Sequence, residues 1–134
     1  MNRKFVLDTS VLLKYTSHGK LYRLLNIVIK YKIVIYLNDN LITELQKNLP
    51  RVIKSTTLPY SEILEDILFL TTYFPTEELF DRSPDPKDNF LFDLAIQTGS
   101  EVIVSDEKKL LAFKKSPVPI RSLGWFKETF PIDL

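Results

Sequence analysis

The sequence has no cysteine and a single histidine, His18, among its 134 residues. Without cysteine there is no disulfide framework, no zinc–thiolate centre and no thiol nucleophile, and a reducing compartment is compatible with that. One histidine rules out a His-cluster metal site and argues against a Ser-His-Asp triad. Long apolar runs are missing as well. Leu21 to Ile29 is interrupted by Arg23 and Asn26 and falls far short of the roughly 20 residues needed to span a bilayer. Met1-Asn2-Arg3-Lys4 has the charge of a signal-peptide start, but Asp8 breaks the apolar stretch that should follow. The expectation is a soluble, cytoplasmic protein with no membrane partner. The length suits one domain, residues 1–134, with an ordinary globular composition of 45% hydrophobic and 26% charged residues.

The net charge of +1 hides an asymmetry. Residues 1–58 hold ten Lys/Arg against three Asp/Glu, and residues 59–134 hold eight against fourteen. Such a split suits an acidic site beside a basic rim, and it equally describes two solvated faces. The pattern of strands decides more.

Lys4-Phe5-Val6-Leu7 runs straight into Asp8-Thr9-Ser10. A short apolar run of this kind reads as a buried strand of a parallel sheet, with Thr9 or Ser10 capping the helix that follows. Ile33-Val34-Ile35-Tyr36-Leu37 is a second buried strand, ending at the turn-forming Asn38-Asp39-Asn40. Val102 to Val104 is a third, and Val118 to Arg121 an edge strand because of Pro119. Between them, apolar residues recur at helical spacing: Leu21, Leu24, Leu25 and Val28; Leu41, Leu45 and Leu49; Ile63, Leu64, Ile67 and Leu68. Pro50 and the polar stretch 54–57 interrupt the pattern. Asp85-Pro86-Lys87-Asp88 is a helix start, with Gly99 closing that helix, and Ser122 caps a last one. The alternation implies a three-layer α/β/α sandwich around a mainly parallel sheet.

In such a sheet, ligands sit beyond the carboxyl ends of strands. Asp8, Glu44 and the Asp106/Glu107 pair all fall after strands, and Asp88 lies in the first turn of a helix. Clustered carboxylates without histidine or cysteine are hard oxygen ligands suited to Mg²⁺ or Mn²⁺. Each acid also has a plain structural reading: Asp8, Asp106 or Glu107 as a helix cap, Asp88 as partner of the helix dipole, Glu44 as a solvated helix residue. Asp85 is assigned to capping, and Asp93, about 140° round the helix from Asp88, is not a ligand. A phosphotransferase with Asp8 as nucleophile, of the haloacid-dehalogenase type, would need an aspartate where Ser10 stands.

Taken together, these segments resemble the PIN domains, metal-dependent nucleases, and among them the VapC-like toxins of toxin–antitoxin systems. Val6-Leu7-Asp8-Thr9-Ser10 is similar to the family's strand ending in Asp-Thr-Asn, with Ser10 in the Asn position. Leu41-Ile42-Thr43-Glu44-Leu45 resembles its helix glutamate, and Asp85-Pro86-Lys87-Asp88-Asn89 its Asp-Pro-Lys-Asp-Asn segment. The fourth element is ambiguous. Aligned without a gap through Leu110-Leu111, the family aspartate falls on Glu107; aligned by identity, it falls on Asp106 with one residue inserted. We favour Asp106 at this point, since a loop absorbs an insertion cheaply.

The resemblance implies hydrolysis of an RNA phosphodiester by metal-activated water. Asp8, Glu44, Asp88 and Asp106 would be the catalytic acids. They would hold one or two Mg²⁺ or Mn²⁺ ions, with Asp106 or Glu107 completing the shell and Thr9 and Ser10 in support. Lys14, Lys20 and Arg51 would grip phosphates. It also implies an antitoxin protein as partner and a homodimer. The rival reading is a catalytically weak PIN-like domain that binds nucleic acid or protein.

Overall fold

Five short segments rich in β-branched, aromatic and leucine side chains form the sheet: β1 (Arg3–Leu7), β2 (Ile33–Leu37), β3 (Thr72–Tyr73), β4 (Val102–Val104) and β5 (Ile120–Arg121). The computed structural model describes residues 2–52 and 60–132. All four strand pairings are parallel, in the order β3-β2-β1-β4-β5. Parallel neighbours cannot be joined by tight hairpins, so each pairing needs a crossover. The crossovers are helical: α1 (Thr9–Thr16), α2 (Leu21–Tyr31), α3 (Asp39–Val52), α4 (Tyr60–Leu70), α5 (Asn89–Thr98) and the single-turn α6 (Lys108–Leu111), with α7 (Leu123–Thr129) after β5. They flank the sheet as the three-layer α/β/α sandwich expected from the alternation.

β1 is the central strand, and Phe5, Val6 and Leu7 are wholly buried. The Phe5 ring meets Phe126 and Phe130 of the C-terminal segment edge-on, at centroid distances of 5.8 and 5.4 Å. A second aromatic cluster stacks Phe80 on Phe92 at 4.5 Å, with Phe113 edge-on to Phe92 at 5.6 Å. Burial of each such side chain stabilises the fold by roughly 1.5–3 kcal/mol. The first cluster joins β1 to α7, and the second joins α5 to the segment before it and to the turn just after α6.

Local capping follows the sequence closely. Asp85 accepts the Lys87 N–H and opens a 3₁₀ turn, Pro86–Asp88, that leads into α5. Gly99 closes α5 with φ +69°, the left-handed region in which only glycine is unstrained. The Ser122 hydroxyl accepts the Trp125 N–H at the start of α7.

Three expectations are corrected. Asp8 itself, not Thr9 or Ser10, caps α1, because its Oδ1 reaches the Val11 N–H at 3.1 Å. Pro50 does not end the third helix, which continues to Val52; near a helix C-terminus its missing N–H costs one bond and its ring is tolerated. Only Ile120 and Arg121 of the fifth strand pair with β4, the prolines at 117 and 119 having no N–H to give to the ladder. The polar stretch 54–57 lies outside the described residues.

The irregular segment between β3 and α5 is stitched to α5. Asp93, buried at 4% exposure, accepts the Leu79 and Phe80 N–H groups at 3.1 and 2.8 Å through one carboxylate oxygen. Gln97 exchanges two bonds with the Glu77 backbone, and Asn89 accepts the Ser83 N–H. Asp93 is thus a structural acid on the side of α5 away from Asp88, as their angular separation implies. Asp93→Ala should lower the unfolding free energy by about 1–2 kcal/mol, the loss of two hydrogen bonds to a partly exposed segment. Urea denaturation measures this, and a loss under about 0.5 kcal/mol would mean that Gln97 and Asn89 hold the segment alone.

Candidate active site

The carboxyl edge of the sheet gathers the acids because β1 and β4 end level with each other, Leu7 beside Val104. Asp8 and Ser105 therefore emerge as neighbours, with the Asp8 N–H donating to the Val104 carbonyl at 3.0 Å. Asp8 is buried, at 6% exposure. Its Oδ1 accepts the Val11 N–H and the Ser10 hydroxyl at 3.1 and 2.7 Å, and its Oδ2 accepts the Ser105 hydroxyl. A carboxylate has about four acceptor positions. Three are used by the protein, so one remains on Oδ2.

Glu44 lies in the second turn of α3, on the side that packs against α1. The Thr9 hydroxyl donates to its Oε2 at 2.6 Å, which ties the two helices together at the site. Asn48, one turn further on, donates from its side-chain amide to the Glu44 carbonyl and so shares that face. Asp88 ends the 3₁₀ turn before α5 and makes no capping bond to it. It therefore lacks a side-chain capping bond, while its place at the start of α5 still suits the helix dipole.

Asp8, Thr9, Ser10, Glu44, Asp88 and Glu107 line one cleft of about 260 Å³, together with Leu13, Asn48, Phe90 and Leu91. Among the described residues, no cationic side chain lines it. Burial, and then the negative charges of Glu107, Asp85, Glu44 and Asp8, push the Asp88 carboxyl up to about 7. Asp88 therefore feels the other three acids across the cleft.

Asp106, by contrast, does not line the cleft. Its Oδ2 pairs with the Lys14 ammonium at 2.6 Å and its Oδ1 accepts the Leu123 N–H at 2.9 Å, at the start of α7. The hydrogen bond from Lys14, followed by that from Leu123, holds its carboxyl below the usual carboxylate range. Glu107 takes the place on the cleft that the sequence reading gave to Asp106. The physical reason is that adjacent residues leaving a strand point apart, and α7 offers a backbone donor to the first of them. Glu107 then starts α6, and its own N–H is held by the Ser105 hydroxyl at 3.1 Å.

The expected phosphate grips are dispersed. Lys14 is engaged by Asp106, Lys20 is exposed at the start of α2, and Arg51 is exposed seven residues beyond Glu44 in α3, so on the same face. Two residues at the site went unread in the sequence. Ser105 stands directly at the end of β4 and Asn48 at i+4 from Glu44, spacings that would have flagged both.

The donor set consists entirely of oxygen, with carboxylates in excess, which suits a hard divalent cation. As the side chains stand, no group of three or more acids or histidines among the described residues is drawn together tightly enough to hold an ion. The unfilled acceptor position of Asp8 and the uncapped Asp88 are the oxygens with capacity left for a cation. The fit is one of chemistry and placement.

The sequence matches the family model described as PIN domain over residues 4–109. Among solved structures, PAE2754 from Pyrobaculum aerophilum is similar with a TM-score of 0.63 at 16% identity, over 96% of this chain and 89% of that one. VapBC2 from Rickettsia felis, bound to a DNA fragment from its promoter, is similar with a TM-score of 0.55 at 14% identity, over 89% of this chain and 98% of that one. At these identities the likeness is one of fold. No curated protein matches the chain.

The raised Asp88 carboxyl makes a stability prediction for metal-free buffer. The folded chain keeps that proton up to about pH 7, whereas the unfolded chain releases it near 3.8. The folded state thus binds more protons in this window, and stability falls as pH rises through it. Asp88→Asn removes the penalty. It should raise stability by about 1 kcal/mol at pH 8, after allowance for partial solvent screening, and change little at pH 4. Thermal unfolding at the two pH values measures the difference, and a loss at pH 8 would make Asp88 a structural acid.

Proposed function

Because the chain belongs to the PIN-domain family, whose members are generally nucleases dependent on divalent metal, we propose that it is a Mg²⁺- or Mn²⁺-dependent endoribonuclease. The observation that carries this reading is the single cleft lined by Asp8, Glu44, Asp88 and Glu107 with no cation among its walls. Asp8, Asp88 and Glu107 would hold the ion, with Glu44 beside them. A bound divalent ion supplies an acidified water and neutralises charge on the phosphodiester.

The chain's own residues prepare the site. Ser10, Ser105 and the Val11 N–H fix the Asp8 carboxylate so that its remaining acceptor position has one direction. Thr9 fixes Glu44 in the same way. Asp88, whose carboxyl is pushed up to about 7 in the cation-free cleft, would give up its proton as a divalent ion binds beside it. Asp106 acts at one remove: by joining Lys14 to the start of α7 it sets the loop from which Glu107 projects. Lys14 and Arg51 stand on α1 and α3, the helices that carry Ser10 and Glu44, where a backbone phosphate would pass.

By the same family resemblance we propose an antitoxin protein as partner, a homodimeric state and a cytoplasmic location. No helix among the described residues is long and apolar enough to cross a membrane. The second reading, a binding module with weak catalysis, draws on the open spacing of the acids.

Cleavage of a labelled single-stranded RNA in millimolar Mn²⁺ or Mg²⁺ tests the proposal. Wild type should cleave, chelation should stop it, and Asp8→Asn or Glu107→Ala should slow it by 100-fold or more, about 2.7 kcal/mol of barrier. Asp106→Ala should slow it less and lower the melting temperature. Absence of cleavage by wild type, with RNA binding retained, would favour the binding module. Greater loss in Asp106→Ala than in Glu107→Ala would return the fourth position to Asp106.

A further inference from the structure

The acid cleft continues into two further cavities. One, of about 390 Å³, is lined by Asp39, Asn40, Thr43, Glu44, Lys87 and Phe90; the other, of about 510 Å³, runs on from Asp39, Asn40, Lys87 and Phe90 to Thr76 and Glu78. Phe90 is the one residue that lines all three. It is half-buried and stands at the junction between the acid cleft and the outer groove. Its place is fixed by Asn38, a wholly buried side chain. The Asn38 amide nitrogen donates to the Phe90 carbonyl and the Thr76 hydroxyl at 3.4 and 3.1 Å, while its oxygen caps α3 through the Leu41 N–H. The groove floor is therefore preorganised.

Its chemistry is uneven in an informative way. Among the described residues, Lys87 is the only cation lining the three cavities, and beyond it stand the exposed carboxylates of Asp39 and Glu78. That outer groove repels phosphates. It accepts a flat, uncharged group with hydrogen-bond donors on its edge. A nucleobase is such a group, and an aromatic ring at the mouth is the usual platform for an unpaired one.

We infer that the groove beside Phe90 seats one unpaired nucleobase of a single-stranded RNA, next to the phosphodiester held in the acid cleft. The inference rests on the ribonuclease reading for the identity of its ligand. Lys87 pairs with the phosphate that joins this base to the scissile position. Asp39 and Glu78 favour bases that carry an exocyclic amino group over uracil, whose edge offers carbonyl acceptors to those carboxylates. A base-paired strand cannot turn a base into the groove, so duplex RNA is excluded from it.

Binding, measured apart from cleavage, tests the subsite. Fluorescence anisotropy is read on the Asp8→Asn background in Mn²⁺, with oligo(A), oligo(C), oligo(U) and an abasic oligonucleotide of equal length. Oligo(A) and oligo(C) should bind more tightly than oligo(U), and the abasic strand most weakly. Phe90→Leu, in the same background, should lose roughly tenfold in affinity for oligo(A) and nothing for the abasic strand, and Phe90→Tyr should keep it. The comparison of intact with abasic strands stands even if a Phe90 variant fails to fold. Equal affinity for intact and abasic strands, or no RNA binding at all, overturns the subsite. If the base contrast holds and wild type does not cleave, hydrolysis fails and the subsite stands; cleavage without the contrast sinks the subsite alone.

Discussion

A carboxylate buried at the end of a central parallel strand is the constraint on which the rest of the site depends. Asp8 leaves β1 with its N–H still bonded to β4, at 6% exposure and, among the described residues, with no cation lining its cleft. Such a group is costly unless it is fully hydrogen-bonded. The chain meets the demand with donors from two directions: Ser10 and the Val11 N–H from α1, and Ser105 from the neighbouring strand end. In doing so it fixes the entry of α1, the level of β4 against β1, and the loop that carries Glu107, whose N–H hangs from the same Ser105 hydroxyl. The cap and the candidate ligand are one residue. Three hydrogen bonds meet the structural demand, and the acceptor position they leave unfilled is the one that the proposed ligand role would use.

Not every acid is relieved in this way. Asp88 sits in the first turn before α5 with no capping bond, and burial and its neighbours' charge hold its proton. Of the four acids, Asp8 and Glu44 are bound to hydroxyl and amide donors, while Asp88 is left under electrostatic strain from its neighbours, Glu107 first among them. A set of acids that were all internally satisfied would be stable and indifferent to cations. One in which none was satisfied would push the helices apart. The mixture keeps the frame intact and leaves a net demand for positive charge at one place.

Much of this was legible in the sequence. β1 and β2, the helix start at Asp85-Pro86, the stop at Gly99 and the cap at Ser122 each rest on a local rule of backbone chemistry, and each stands where the rule puts it. The acids at strand ends were visible because a parallel sheet turns sequence position into spatial position. What was not legible depended on partners distant in the chain. Asp93 could be set aside from the cleft by its angle on the helix, but its hold on Leu79 and Phe80 was invisible, since those donors belong to a segment with no periodicity. Of the paired leucines, Leu110 is buried and Leu111 is largely exposed, so only one anchors the register of α6.

The division of labour between Asp106 and Glu107 is the sharpest such case. Sequence offers two adjacent acids and two alignments, and loop entropy barely separates them. The decision is made by groups 92 and 17 residues away: the Lys14 ammonium and the Leu123 N–H, which take both oxygens of Asp106. Once that carboxylate joins α1 to α7, the next residue must project to the other side, towards Asp8 and Asp88. The longer glutamate side chain then compensates for starting one residue further from the strand. The shorter acid therefore belongs to the frame and the longer one to the cleft, and the ungapped alignment through Leu110 describes the fold better than the match by identity.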